Sequence, residues 1–347
     1  MKLNFVINNL KGGGAERVTS YLCNYFSEKK YKVKLILLNG NDVFYTLNNN
    51  VEVISKNKSK GFFSDILFLR KNIKDSDISI SFTTGVNIIN ILSCLTINTK
   101  SVISERTNHL NKNVSLKLRI LRFTYSFSNF LVVLSDLDFK YYSKFVRNIS
   151  IITNPFQTKL KINYNRDNII LNVGRLENVK NQIFLLKAFN HCIQKLNLRN
   201  WKLILIGEGS NRNKIEKFVK KNNLEQSVDI LGSISNVESF YNKSKIYCLT
   251  SKHEGFPNAL LEAYCYGCAC ISLNIKTGPS QIINHNIDGL LIDESISYIN
   301  FADQLMKLAG NQQLIDKFNI NSIQNSEIHK TENKLSEWEK VLLKVKN

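Results

Sequence analysis

A chain of 347 residues is long for one core and suits two domains of ordinary size, and its 43% hydrophobic and 10% aromatic content is that of a soluble globular protein. No window approaches the roughly 18–20 apolar residues of a spanning helix, and Asn8, Asn9 and the glycines at 12–14 break the opening run too early for a signal peptide, so a cytoplasmic protein is expected. The net charge of +19 is uneven, with 23 Lys/Arg against 10 Asp/Glu in residues 1–160 and 24 against 18 in the remainder. Such an excess attracts nucleic acid, an anionic membrane face or a phosphorylated acceptor, although a genome biased toward Lys and Asn also produces it with no function attached.

Lys2 to Leu10 reads as a buried strand. It runs into Lys11-Gly-Gly-Gly-Ala-Glu-Arg17 and a helix through Val18, Tyr21, Leu22, Tyr25 and Phe26. Glycines between strand and helix, here including Gly13 and Gly14, let backbone approach a ligand, with helix N–H groups facing phosphate or hydroxyl. A dinucleotide site requires G-x-G-x-x-G and an acid near the end of the next strand. These glycines are consecutive and strand two (Lys32 to Leu38) ends in Asn39-Gly40, so the nicotinamide reading is weak. Further strands at Val51–Ile54, Ile78–Phe82, Ser101–Ser104 and Phe130–Leu134 alternate with helical stretches, the mark of a doubly wound parallel sheet.

Asp75-Ser-Asp77 and Asp136-Leu-Asp138 resemble the D-x-D of metal-dependent transferases, yet both sit where acids serve ordinary element ends, the second opening a helix over Leu137–Phe145. That bland reading is preferred. Ser104-Glu-Arg-Thr-Asn-His109 follows a strand and so falls at the carboxyl edge of the sheet, where such folds bind ligands. From Asn111 to Phe130 a basic stretch is interleaved with aromatics. Leu116, Ile120, Phe123 and Phe127 share one side, with Lys112, Lys117, Arg119 and Arg122 around them. An interfacial helix on an anionic membrane and a core helix with a solvated basic flank are both open.

Ile149 to Phe156, with Asn154-Pro155, closes the first half, and residues 157–167 are polar and Lys-rich, a fair linker. Asn168 to Val173 restarts a buried strand that ends in Gly174-Arg175-Leu-Glu-Asn-Val-Lys180-Asn181. Two more strands follow, Trp201–Ile206 before Gly207-Glu-Gly209 and Val228–Leu231 before Gly232-Ser233-Ile234.

The most informative stretch comes next. After an apolar strand at Lys245–Thr250, Ser251-Lys-His-Glu254-Gly255-Phe256-Pro257-Asn258-Ala259-Leu-Leu-Glu262 leads a helix that Gly267 is placed to end. A strand, a tight loop, a helix N-terminus and two carboxylates suit a ligand both anionic and rich in hydroxyls. The amides near Asn258 and Ala259 face the anion and the carboxylates accept from hydroxyls. A nucleotide sugar is such a ligand. Glu254 alone is also what any helix N-terminus attracts. Glu262 is different, since it stands among apolar positions where a charge is costly without a partner.

The seven cysteines include Cys265, Cys268 and Cys270 in one short run. A metal site would need a fourth ligand and a matching second cluster, so small buried residues in a reducing cell are the better account. A last strand follows Asp288-Gly289. The final basic stretch, from about Thr331 to Lys346, carries Leu335, Trp338, Val341, Leu342 and Val345 at helical spacing.

Glu254 and Glu262, within Glu-Gly-Phe-Pro and Leu-Glu-Ala, resemble the EX7E signature of group 1 (GT4) retaining glycosyltransferases. Gly13-Gly14-Ala-Glu-Arg, Ser104-Glu-Arg, Asn154-Pro155 and Gly174-Arg-Leu with Lys180-Asn181 are similar to other elements of that family. Gln281 stands where its members commonly carry Glu, and Thr107 where Asn is common. The resemblance implies an α/β protein of GT-B architecture, two Rossmann-like doubly wound domains facing across a cleft. Residues 1–160 would bind the acceptor and 168–325 the nucleotide sugar, with 326–347 a helix crossing back onto the first domain or simply a C-terminal helix.

By the same resemblance Glu254 holds donor sugar hydroxyls, Glu262 the ribose hydroxyls, and Arg175 and Lys180 the diphosphate. Gly13 and Gly14 lie near the acceptor and the donor phosphates, Ser233 and Ile234 near the nucleobase, and Arg106 or His109 touches the acceptor unless this is an ordinary loop. Two cations on one loop stabilise a leaving pyrophosphate without a metal. The two Glu serve binding here, so the hydrolase arrangement of paired carboxylates is not implied.

The expected activity is transfer of a sugar, with retention, from a nucleotide-diphosphate sugar (taken as a UDP-sugar) to a hydroxyl. The acceptor is polyprenyl-diphosphate-linked or a saccharide, in lipopolysaccharide or capsule assembly at the inner face of the cell membrane. No cofactor, metal or nucleic-acid partner is expected. The rival is a non-catalytic basic membrane or nucleic-acid adaptor on a glycosyltransferase scaffold, for which neither aromatic platforms nor a helix-turn-helix signature stands out. A metal-dependent transferase is a third reading.

Overall fold

The computed structural model describes residues 1–347 apart from Gly12, Lys60, 111–114, Gln157, Lys159, Leu196 and Asn197. Part of the glycine run, Lys112 of the basic stretch and part of the expected linker therefore lie outside the described residues. The chain divides into two units, Met1–Pro155 with Thr331–Asn347, and Phe156–Lys330.

The first unit is built on β1 (Lys2–Ile7), β2 (Lys32–Leu37), β3 (Glu52–Ser55), β4 (Ile78–Phe82), β5 (Lys100–Ser104), β6 (Phe130–Val133) and β7 (Ile149–Ile151). They form one sheet in the order β3-β2-β1-β4-β5-β6-β7, every pairing parallel. A parallel sheet needs helices on both faces, which is why β4 is buried at every residue. Alternate residues point to opposite layers. Phe5 and Ile7 pack with Val18, Leu22 and Phe26 of α1 (Gly14–Glu28). Val6 packs with Leu69 and Ile73 of α2 (Phe62–Ile73) and Val86 of α3 (Thr84–Cys94).

The basic stretch does not make one long helix. α4 (Leu116–Leu121) gives way to a 3-10 turn over Arg122–Phe127, which points Arg122 and Tyr125 inward. Arg122 is therefore no part of a solvated flank. It lies 3.5 Å from the buried carboxylate of Glu105, which also receives the Tyr125 hydroxyl at 2.6 Å. α5 (Asp136–Tyr142) follows β6.

The second unit carries β8 (Asp167–Val173), α6 (Gln182–Lys195), β9 (Lys202–Ile206), α7 (Arg212–Lys221), β10 (Val228–Ile230), α8 (Glu238–Lys243), β11 (Ser244–Leu249), α9 (Asn258–Cys265), β12 (Ala269–Asn274), β13 (Gly289–Asp293), α10 (Tyr298–Ala309) and α11 (Gln312–Asn325). Its parallel sheet runs β10-β9-β8-β11-β12-β13. Ser326–His329 is a 3-10 turn within this unit, and α12 (Thr331–Lys346) belongs to the first. There Leu335, Trp338, Val341 and Leu342 lie in the same core as Phe5 and Phe26, so the helical spacing of the last stretch completes the layer that α1 begins.

In both sheets the strand order reverses beside the first strand, between β1 and β4 and between β8 and β11. At such a reversal the loops leaving adjacent strands turn to opposite faces and leave a crevice at the carboxyl edge, where α/β sheets bind ligands.

Candidate functional site

At the reversal in the second sheet, the loop after β8 meets the loop after β11. Lys252 N donates to Val179 O at 2.8 Å, and the Asn172 side chain donates to Cys248 O at 2.9 Å. The side chains then close the crevice, with Lys180 Nζ 2.6 Å from Glu254 Oε1. The Lys is about one-fifth exposed and the Glu one-tenth, so the pair is partly shielded yet reachable. The aliphatic stem of Lys180 passes over Gly174, within 3.5 Å of where a side chain there would begin.

Close backbone packing builds the floor. Gly174 N donates to Ile206 O, Leu176 N to Glu208 O and Gly207 N to Gly232 O, all at 2.8–2.9 Å, lacing the loops after β8, β9 and β10 into one ledge. A Cβ on Gly207 or Gly209 would run into the Gly174 or Leu176 carbonyl, so glycine is required there by proximity. Ser233 and Ile234 follow Gly232 on that ledge. Arg175 points outward and pairs with Glu177 of its own loop at 2.9 Å.

α9 opens at Asn258 with Pro257 at its N-cap, whose carbonyl accepts from Leu260 and Leu261. The first turn of α9, with Asn258 and Ala259, sits at the carboxyl edge with the helix dipole behind it. Gly255 and the buried Phe256 form the short turn between Glu254 and the helix, and Thr277 Oγ1 ties that turn down by donating to Glu254 O at 2.6 Å. Gly267, at φ +76°, ends α9. Its N–H bonds Tyr264 O and that of Cys268 bonds Ala263 O, each at 2.9 Å, the double bond of a Schellman terminus.

Glu262 lies partly exposed on α9. Burial pushes the Tyr247 phenol well above its usual range, and the charges of Glu254 and of Glu262 push it the same way. Both carboxylates therefore act on the neighbourhood of one buried hydroxyl, which donates to Val173 O beside Gly174 at 3.4 Å. The structure thus brings Lys180, Glu254, Glu262, Gly255–Ala259 and the ledge together within the second unit. The seven cysteines are buried and unpaired, and burial raises the Cys268 thiol to about 11.

Gly13, Gly14 and His109 belong to the first unit. Gly13 caps α1, its carbonyl accepting from Arg17 N at 3.0 Å and from the Tyr45 hydroxyl at 3.1 Å. His109 Nδ1 lies 2.7 Å from Asp138 Oδ1, a partnership the sequence reading missed. Asp138 stood there only as a helix-opening acid. Ser135 does cap α5, but both Asp138 oxygens are taken, one by His109 and the other by the Ser135 hydroxyl at 2.6 Å. A Ser-x-x-Asp run beside a strand end that carries a His was the signal available. Arg106, the other acceptor candidate, stacks over Phe82 and Trp338 and bonds Asn154.

Twin parallel sheets of this order, with a cation–carboxylate pair and a helix N-terminus at the crevice of the second, are what the GT-B architecture of glycosyltransferases calls for. The chain belongs to the family described as glycosyl transferases group 1, which residues 156–325 match. It is 31% identical over 364 residues, spanning 100% of this chain and 99% of the other, to the "GalNAc-alpha-(1->4)-GalNAc-alpha-(1->3)-diNAcBac-PP-undecaprenol alpha-1,4-N-acetyl-D-galactosaminyltransferase" of Campylobacter jejuni. It is 28% identical to the amylovoran biosynthesis glycosyltransferase AmsD of Erwinia amylovora, over 98% of this chain and 99% of that one. The crystal structure of Anabaena Alr3699/HepE in complex with UDP and glucose superposes with a TM-score of 0.82 over 99% of this chain and 100% of that one, at 14% identity. That likeness carries the fold.

Proposed function

We propose that this glycosyltransferase moves a sugar from a UDP-sugar, with retention of anomeric configuration, to a hydroxyl of a lipid-linked or saccharide acceptor in cell-surface polysaccharide assembly. The observation that carries the reading is the Lys180–Glu254 pair at the strand-order reversal of the second sheet. An ammonium has three N–H donors and a carboxylate two oxygens. Bonded to each other once, Lys180 keeps donors for a diphosphate oxygen and Glu254 keeps an oxygen for a sugar hydroxyl. Arg175, exposed at the crevice rim, and the first-turn amides of α9 add positive potential for the leaving diphosphate, so no metal is required of the mechanism. Glu262 takes the ribose hydroxyls, and Ser233 and Ile234 border the base.

The activities named for the relatives support the acceptor class. One acts on an undecaprenol-diphosphate-linked glycan and another serves amylovoran biosynthesis. Gly13 and Gly14 are assigned to the acceptor and the donor phosphates, and His109 to the acceptor. A peripheral seat on an anionic membrane is supported by α4 and the turn after it, where Leu116, Ile120, Phe123 and Phe127 are 57–69% exposed beside Lys117 and Arg119. No helix among the described residues is long and apolar enough to cross a membrane.

The test is turnover by the purified protein with a panel of UDP-sugars and an undecaprenyl-diphosphate-linked acceptor, with chelator present. UDP release with an α-linked product from an α-linked donor, abolished by Lys180→Met and Glu254→Ala, is expected. Release that survives both substitutions would overturn the site assignment, and an inverted product the retaining one.

A further inference from the structure

His109 is held on three sides inside the first unit. Its Nδ1 and its backbone N–H both point at Asp138 Oδ1, at 2.7 and 2.9 Å. Its ring lies flat on Tyr141, with centroids 4.1 Å apart and planes within 6°. Its carbonyl accepts from Arg122, which is itself anchored on Thr84 and Glu105. A carboxylate only accepts, so Nδ1 carries the proton in this bond, and in the Nδ1–H tautomer Nε2 keeps a lone pair. No group among the described residues takes Nε2, and the side chain remains 12% exposed. Here one nitrogen is fixed and the other presented.

We infer that Asp138 is a positioning residue, seconded by Ser135 and Tyr141, that locks His109 in the Nδ1–H tautomer so that Nε2 accepts a hydrogen bond from a hydroxyl of the sugar acceptor. The inference rests on the assignment of the first unit to the acceptor, and it holds the hydroxyl in place without removing its proton. Ser135 contributes by donating to Asp138 Oδ2, which fixes the carboxylate as the carboxylate fixes the ring. Tyr141 sets the ring plane through stacking.

The experiment is a double-substitution cycle on kcat/KM for the acceptor, in the full chain, with His109→Ala, Asp138→Asn and both together, melting temperatures measured alongside. His109→Ala is expected to lower kcat/KM about tenfold to a hundredfold. Asp138→Asn should cost a similar factor alone and nothing further once His109 is alanine, because residues acting through one another do not add. Losses that multiply in the double variant would show Asp138 to be structural and overturn the inference. No loss in His109→Ala would instead overturn the acceptor assignment on which it rests. Nitrogen-15 NMR of the wild-type imidazole decides independently should Asp138→Asn not fold: an Nδ1–H tautomer supports the lock, an Nε2–H tautomer ends it.

Discussion

Two acid–cation or acid–imidazole pairs stand at the carboxyl edges of the two sheets, and they differ in what they leave open. Lys180 and Glu254, 74 residues apart, join the loops of strands that flank the reversal point, and each keeps hydrogen-bonding capacity for a ligand. His109 and Asp138, 29 residues apart, join the loop after β5 to the first turn of α5, and there both oxygens of the acid are engaged and one ring nitrogen is held. Beneath that second pair lies a third, Glu105 with Arg122, almost wholly buried. On the proposed assignment the first pair meets a charged ligand, the second orients a ring and the third holds the fold, a division that tracks burial and the lone pairs that remain.

The comparison breaks most visibly at the buried end. Arg122→Met leaves the buried Glu105 carboxyl without its cation, so stability should fall by about 3–5 kcal/mol in a denaturant titration. Lys180→Met, at a partly exposed site, should cost less than about 1 kcal/mol of stability yet lower kcat/KM for the UDP-sugar by about a hundred- to a thousandfold. If Lys180→Met destabilised as much as Arg122→Met, with activity lost in proportion to unfolding, the distinction would collapse. Smaller again is the surface effect. Leu116→Ser with Phe123→Ser removes apolar area from α4 and its turn, and binding to anionic vesicles should weaken about tenfold while the fold is kept. Unchanged vesicle binding would remove the membrane seat.

A last effect is on pH and lies outside the physiological range. Burial raises the Cys268 thiol from 9.0 to about 11 and lifts the Cys94 and Cys192 thiols to about 12. A raised pKa in the folded state means that the unfolded chain loses its thiol protons first. The contribution is present in full below pH 9 and declines as pH climbs toward 11 and 12. Melting temperature should therefore fall over that range, and thiol reagents should leave the folded protein unlabelled at neutral pH.

Much of the candidate site's local structure was legible because it is consecutive in sequence. A strand, a short loop, a proline at the helix entry and a glycine past its end are consecutive features, and α9 obeys them from Asn258 to the turn at Gly267. The bond between Lys180 and Glu254 was not legible, since it depends on β8 lying beside β11, and alternation of strands and helices does not fix strand order. Asp138 illustrates the same limit. Its place in the first turn of α5 was evident, but its partner arrives from the loop after β5. The basic stretch shows another. Spacing gives a helix face without saying which side is solvent, and the 3-10 turn that carries Arg122 inward leaves the apolar residues outside.

The most direct test of the donor site is calorimetric titration of UDP, without sugar or acceptor, into wild type, Lys180→Met and Glu254→Gln. The account predicts saturable binding to wild type, at least tenfold weaker binding to Lys180→Met, and binding to Glu254→Gln no weaker than wild type, because losing the acid frees the ammonium for phosphate. UDP affinity indifferent to Lys180 would contradict it.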